Sequence, residues 1–276
     1  GAFRPVCFEL NFSRNHGDLP PLTLQEGGVM LSVSGKIDRV DGYIRGNTLY
    51  LKVVDYKTGK KEFRLSDVLY GLNLQMFLYL MMLKQSGPAA LDSFSGCGGV
   101  QRTEPCGALY VPAKTPYLFR EPGETDEKFQ SRLDQELRRI GLVRDDGDLL
   151  EAMEHGGRFR FLPVSLKKDG SFGERSSLVS ALQLNGLLHK TEETLRRIAR
   201  QISAGDIEAD PYRINWKENA CKFCDFRAAC HFDTTMEKDC LRYLPKLEEK
   251  AVRELLEKEE EERLRRNGPE GEEEWL

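Results

Sequence analysis

With 276 residues, 39% hydrophobic and 31% charged, the chain can bury a substantial core and build one large domain or two small ones. Its formal net charge of −4 argues against a protein that coats nucleic acid over its whole surface, and no stretch approaches the roughly 20 apolar residues of a membrane helix. The opening Gly-Ala-Phe-Arg-Pro has neither a basic-then-apolar leader pattern nor an initiator Met, so the expectation is a cytoplasmic region cut from a longer chain. The charge is also uneven. Acids gather beyond Glu248, which leaves the body near neutral and free to carry a local basic groove.

Residues 1–27 read as an extended lead-in with turn signals at Asn15-His16-Gly17 and Pro20-Pro21. From Val29 to Tyr43 apolar residues alternate around a Gly35 break, and Leu49 to Tyr56 forms a second strand. A helix is expected over 66–86, with Ser66 as its cap and Gly87-Pro88 as its end. A Gly- and Ser-rich loop should fill 86–107 and hold Cys97 and Cys106. A strand at Ala108–Val111, a polar helix over 124–140, a strand at Phe161–Leu166 and a long helix over 176–204 follow. The segment 205–219 is irregular, and a charged helix is expected over 245–266. The organisation predicted is one domain over 1–235 and a charged helical tail over 236–276.

Two predicted strands carry acids near their ends: Gly35-Lys36-Ile37-Asp38-Arg39-Val40-Asp41, then Val53-Val54-Asp55-Tyr56-Lys57-Thr58-Gly59. Alternation puts Asp55 and Lys57 on one face, and Asp38 can reach it if the strands pair. Two carboxylates beside a lysine suit Mg²⁺ or Mn²⁺. Such an ion polarises a phosphate and activates water, while the lysine steadies developing charge. Asp-x-Lys alone is common, but Asp55 follows an apolar run, where an unpaired acid is costly. No phosphate-binding Gly-x-x-x-x-Gly-Lys-Ser/Thr loop occurs, so an ATP-driven motor must lie elsewhere.

The seven cysteines are an odd number without a secretory leader, which speaks against a disulfide framework. Cys221, Cys224 and Cys230 form a C-x2-C-x5-C array. By spacing alone it could hold zinc with a fourth ligand such as His231 or Cys240, or a [4Fe–4S] cluster with a fourth thiolate.

The two acidic motifs, together with Gln75-Met76-Phe77-Leu78-Tyr79, resemble those of RecB-family PD-(D/E)XK nucleases. The nearest likeness is to the C-terminal nuclease domain of the B-type component of AddAB-type helicase–nucleases, and it covers residues 1–235. The resemblance implies a restriction-endonuclease-like α/β core with a central mixed sheet flanked by helices and a cysteine-cluster segment at its end. It makes Asp38 and Asp55 the ligands of Mg²⁺ or Mn²⁺ and Lys57 the catalytic lysine. Gln75 and Tyr79 would contact DNA or position the lysine, and Asp41 is left as structural. It further implies that Cys221, Cys224 and Cys230 hold a [4Fe–4S] cluster. The fourth cysteine and a histidine metal ligand are expected upstream of residue 1.

The activity implied is a metal-dependent exodeoxyribonuclease module in double-strand-break repair, with DNA and an A-type helicase–nuclease subunit as partners and no membrane. A Cas4-like exonuclease of the same fold and an inactive nuclease-fold DNA-binding scaffold are the alternatives. A zinc-binding interaction module would leave the strand acids unexplained.

Overall fold

The computed structural model describes all residues except 60, 96–98, 115, 157–158, 174–175, 234, 236–240 and 268–276. Its strands are β1 (Arg4–Phe12), β2 (Leu22–Glu26), β3 (Val29–Val33), β4 (Gly35–Arg45), β5 (Thr48–Lys57), β6 (Arg102–Pro112), β7 (Ile140–Arg144), β8 (Leu178–Val179), β9 (Tyr212–Arg213) and β10 (Arg242–Tyr243). The helices are α1 (Leu65–Leu69), α2 (Gln75–Ser95), α3 (Asp126–Glu136), α4 (Gly147–Met153), α5 (Ala181–Ser203), α6 (Arg227–Cys230) and α7 (Glu249–Asn267).

A six-stranded mixed sheet runs in the order β1-β4-β5-β6-β7-β8. The β5–β6 and β7–β8 pairs are parallel and the other neighbours antiparallel. A Gly46-Asn47 turn with Gly46 at φ 62 links β4 to β5, as a tight hairpin requires. A parallel pair cannot be joined by such a turn, so the chain crosses from β5 to β6 through α1 and α2. Seven of the ten β5 residues are buried, which matches a central strand covered on both faces. On one face α2 packs against β5, β6 and α5, and Phe77, Leu80 and Met81 are fully enclosed. Those neighbours explain why the helix is apolar on most sides. A second cluster, including Cys106, Leu109, Val143, Leu149 and Leu162, forms a further core region.

Helix α5 begins with a reciprocal cap between Ser180 and Gln183. It buries Leu184, Leu187, Leu188 and Leu195, the i, i+3, i+4 spacing of an amphipathic helix. Helix α7 lies along it through Val252 and Leu256, both buried. The approach needs Gly186, since a Cβ there would come within 2.9 Å of the Leu256 carbonyl oxygen. Among the described residues, no helix is long and apolar enough to cross a membrane.

Several elements depart from expectation. The extended lead-in proves to be part of the main sheet: β1 is an edge strand paired with β4. The stretch Val29–Tyr43 is divided, because β3 leaves the central sheet and pairs only with β2. The helix expected over 66–86 is broken into α1 and α2 by Gly71 (φ 77) and Asn73 (φ 54). Gly87 takes φ 69, ψ 176, outside the helical region, so the first helical stretch of α2 does stop at Gly87-Pro88, and a second stretch follows to Ser95. Pro88 suits the first position of that second stretch, which takes the residues as far as Ser95 out of the expected loop, and β6 takes those from Arg102. Cys106 is therefore not a loop residue. It is buried in β6, with its Sγ donating to the Leu51 carbonyl oxygen at 3.2 Å, while Cys97 lies outside the described residues. Phe161–Leu166 forms no strand beyond an isolated Leu166–Phe172 bridge. The neighbouring sheet place belongs to β7, whose five residues carried too short a pattern to announce themselves.

Candidate active site

The β4–β5 ladder runs from the turn to the Arg39–Val54 pair. One step further the same register would set Asp38 against Asp55. There the ladder changes hands: the Tyr56 N–H donates to Asp38 Oδ2 at 2.9 Å. Asp38 is thus pinned by a backbone donor at the mouth of the hairpin. Asp55 is 3% exposed, and Lys57 Nζ lies 2.6 Å from its Oδ2, as expected for residues two apart on a strand. That ion pair lacks hydrogen-bond geometry, so Asp55 Oδ2 remains a buried oxygen with no hydrogen bond. Burying a carboxylate so poorly satisfied costs free energy, and such strain concentrates where a ligand is meant to relieve it.

The lysine is held from the other side. Lys57 Nζ donates to Gln75 Oε1 at 3.5 Å, a long contact, and Gln75 Nε2 donates to the Tyr79 hydroxyl at 2.9 Å. The four-residue spacing on α2 brings Gln75 and Tyr79 together. Across β5, Asp55 is in register with Tyr110 of β6, which sequence reasoning missed. Burial, then the Asp55 charge and the proximity of Tyr79, push the Tyr110 hydroxyl up to about 12, so it stays neutral. Its ring lies 5.6 Å from Lys57 Nζ and 5.2 Å from Lys61 Nζ. The hint in the sequence was positional: Lys61 follows the Asp-x-Lys motif by four residues, and Tyr110 ends an apolar strand.

Asp41, one turn of the motif from Asp38, belongs elsewhere. It is 2% exposed and accepts from Arg39 Nε at 2.5 Å and Nη2 at 2.9 Å. Lys52 Nζ lies 3.2 Å from it. Burial lowers the Lys52 pKa while Asp41 opposes that shift.

As donors, Asp38 and Asp55 offer hard oxygens, and the unsatisfied Asp55 Oδ2 fits a small divalent cation. Mg²⁺ is commonly held by one or two carboxylates, with waters and phosphate oxygens completing its shell. Among the described residues no group of three or more His, Cys, Asp or Glu side chains is arranged to hold a metal.

The cysteine array sits apart from this site. Cys221, Cys224 and Cys230 line one cavity of about 470 Å³ together with Arg227 and His231. Cys7 is remote in character, buried in β1 opposite Val40. Burial first, then the charges of Asp18 and Asp41, push its thiol up to about 12. Cys240 lies outside the described residues.

A mixed sheet that delivers two acids and a lysine to one hairpin mouth is the arrangement of a nuclease core. Residues 1–231 match the PD-(D/E)XK nuclease superfamily, and the chain belongs to it. Among curated proteins, it is 32% identical over 264 residues to the B-type component of the ATP-dependent helicase/deoxyribonuclease of Acetivibrio thermocellus, covering 95% of this chain and 22% of that protein. The protein of the same name from Clostridium acetobutylicum is 32% identical over 263 residues, 94% of this chain and 22% of its own length. That of Thermoanaerobacter pseudethanolicus is 30% identical over 260 residues, again 94% and 22%. The chain therefore spans 22% of the length of these relatives.

Proposed function

We propose that this chain is the metal-dependent deoxyribonuclease module, acting as an exonuclease, of a cytoplasmic helicase–nuclease that processes DNA double-strand breaks for recombinational repair. Its partners are DNA and an A-type helicase–nuclease subunit. The observation that carries the reading is the buried Asp55 Oδ2, without a hydrogen bond and next in register to the pinned Asp38.

Asp38 and Asp55 would hold Mg²⁺ or Mn²⁺. Bound there, the ion supplies Lewis acidity to the scissile phosphate and lowers the pKa of an attacking water. Lys57 Nζ has three donors; Gln75 takes one of them at 3.5 Å, and those left can orient water or steady the developing negative charge. Tyr79 positions Gln75, and Gln75 positions Lys57. Tyr110, kept neutral, packs an uncharged wall beside Asp55 and keeps bulk water from that side. Cys221, Cys224 and Cys230 would hold a [4Fe–4S] cluster with a structural role. Cys7 and Cys106 are buried away from them, which leaves the fourth thiolate to a part of the protein outside the described residues.

In the protein that carries this chain, Asp55→Asn should lower Mg²⁺-dependent DNA cleavage by at least ~10²-fold and weaken Mn²⁺ binding measured by titration calorimetry. Lys57→Ala should lower cleavage by ~10²–10³-fold, the range for losing one transition-state donor, with Mn²⁺ binding retained. Cleavage at the wild-type rate in Asp55→Asn would overturn the assignment.

A further inference from the structure

Beside Lys57, beyond the C-terminal ends of the parallel strands β5 and β6, lies an open groove of about 560 Å³. Its lining carries five cationic side chains, Lys57, Lys61, Lys114, Arg138 and Arg139, against two acids, Glu62 and Glu136. The balance is more positive than that count. Glu62 is already paired with Arg64 at 2.5 Å. Arg138 is committed to the backbone, donating to the Leu162 carbonyl at 2.8 Å and to that of Val164. Lys61 donates to Asn73 Oδ1 at 2.7 Å. Among the described residues, the Lys114 and Arg139 side chains have no hydrogen-bond or ion-pair partner, so two cations face an open groove in a protein whose net charge is negative.

The loop that borders the groove adds a second, independent feature. After Pro116, a lining residue, come Tyr117 and Phe119, 95% and 88% exposed. Single large apolar side chains at a surface need no explanation. Two aromatics almost wholly in water, two residues apart and adjoining a cationic groove that opens on the candidate catalytic lysine, form a recognisable chemical pairing. Cations track a phosphate backbone, and aromatic faces stack bases whatever their sequence. A duplex offers no free base faces to such a loop, whereas an unpaired strand does.

We propose that this groove and the Tyr117–Phe119 loop bind the single strand on one side of the scissile phosphate, with Lys114 and Arg139 contacting phosphates and the two aromatic rings stacking bases. The inference rests on the nuclease reading above and adds to it where in the fold the substrate strand is held. It assigns positioning residues that lie outside the Asp-Asp-Lys cluster.

The test measures equilibrium binding of the full protein to fluorescent oligothymidylate and to a blunt hairpin duplex of equal length, in EDTA so that no cleavage intervenes. Tyr117→Ala/Phe119→Ala removes two exposed side chains and leaves the core untouched. It should weaken oligothymidylate binding on the order of tenfold or more per stacked base and change duplex binding less than twofold. Lys114→Ala/Arg139→Ala should flatten the slope of log K against log salt for the single strand by about 1.4, from about 0.7 per phosphate contact. Unchanged oligothymidylate affinity in the aromatic variant, an equal loss on both substrates, or an unchanged salt slope in the cationic variant would each overturn the proposal. Because only metal-free binding is read, such a failure leaves the cleavage test of Asp55 and Lys57 standing, and a failure there leaves this one standing.

Discussion

Removing the Asp41 carboxylate separates the structural acid of the motif from the proposed catalytic ones. Asp41 and Lys52 are each 2% exposed, and they share the site with Arg39. Asp41→Ala leaves the Lys52 ammonium buried without its counter-charge, and the Arg39 guanidinium without its two short hydrogen bonds. Breaking one partner of a buried pair costs about 3–5 kcal/mol, a large part of a total stability of roughly 5–15 kcal/mol. At ~2–4 °C per kcal/mol for a domain of about this size, Tm should fall by about 6–20 °C in differential scanning calorimetry. The sign for Lys52 follows from its surroundings. Asp41 is what opposes the depression of its pKa, so without Asp41 the lysine is driven further toward the neutral form. Asp41→Ala/Lys52→Met, which removes both charges and keeps volume at Lys52, should recover most of the loss, because a well-packed apolar replacement of a buried pair is often neutral. Below its own Tm, Asp41→Ala should keep Mg²⁺-dependent cleavage, in contrast to Asp55→Asn. A Tm shift under about 2 °C, or loss of cleavage in protein shown to be folded, would refute the structural assignment.

The α5–α7 contact should respond to acid. Burial alone would push the Glu260 carboxyl up, but hydrogen bonds from His189 and Arg263 and their charges override it and hold it at about 2. A folded-state value below the ordinary 4.5 contributes stability that is full above pH 4.5 and lost as pH falls toward 2. Hydrogen exchange in α7 should therefore accelerate across that window in the wild type, and Glu260→Gln should remove the pH dependence. Gly87→Ala should cost about 1–3 kcal/mol in urea unfolding, since φ 69, ψ 176 is a region open essentially to glycine and no neighbour lies within 4 Å to contribute a clash. In metal-stripped native protein with Cys97 and Cys240 replaced by serine, a thiol reagent at pH 8 should modify Cys224 and Cys230 quickly. Cys106, whose thiol burial pushes up to about 12, and Cys7 should react only on unfolding. Rapid modification of Cys106 would contradict its place in β6.

The local chemistry of the site was legible in the chain because it depends on short-range geometry. Two-residue alternation put Asp55 and Lys57 on one face, and four-residue spacing put Gln75 beside Tyr79; no distant contact was needed for either. The apolar run before Asp55 likewise announced a buried central strand. What tertiary structure alone decided are the matters settled by partners far away in sequence. Nothing in Val29–Val33 says that it pairs with β2 and not with the main sheet, because its alternation satisfies either neighbour. Arg4–Phe12 reads as extended, but its place in the sheet shows only once β4 is beside it. Gly87-Pro88 carries a strong stop signal and the helix breaks there, but those two residues do not say that a second helical stretch follows to Ser95. Asp38 and Asp41 have the same side chain three residues apart. One meets a backbone N–H at the mouth of the hairpin, the other an arginine and a buried lysine, and that difference of surroundings, invisible in the motif itself, is why different roles are proposed for the two carboxylates.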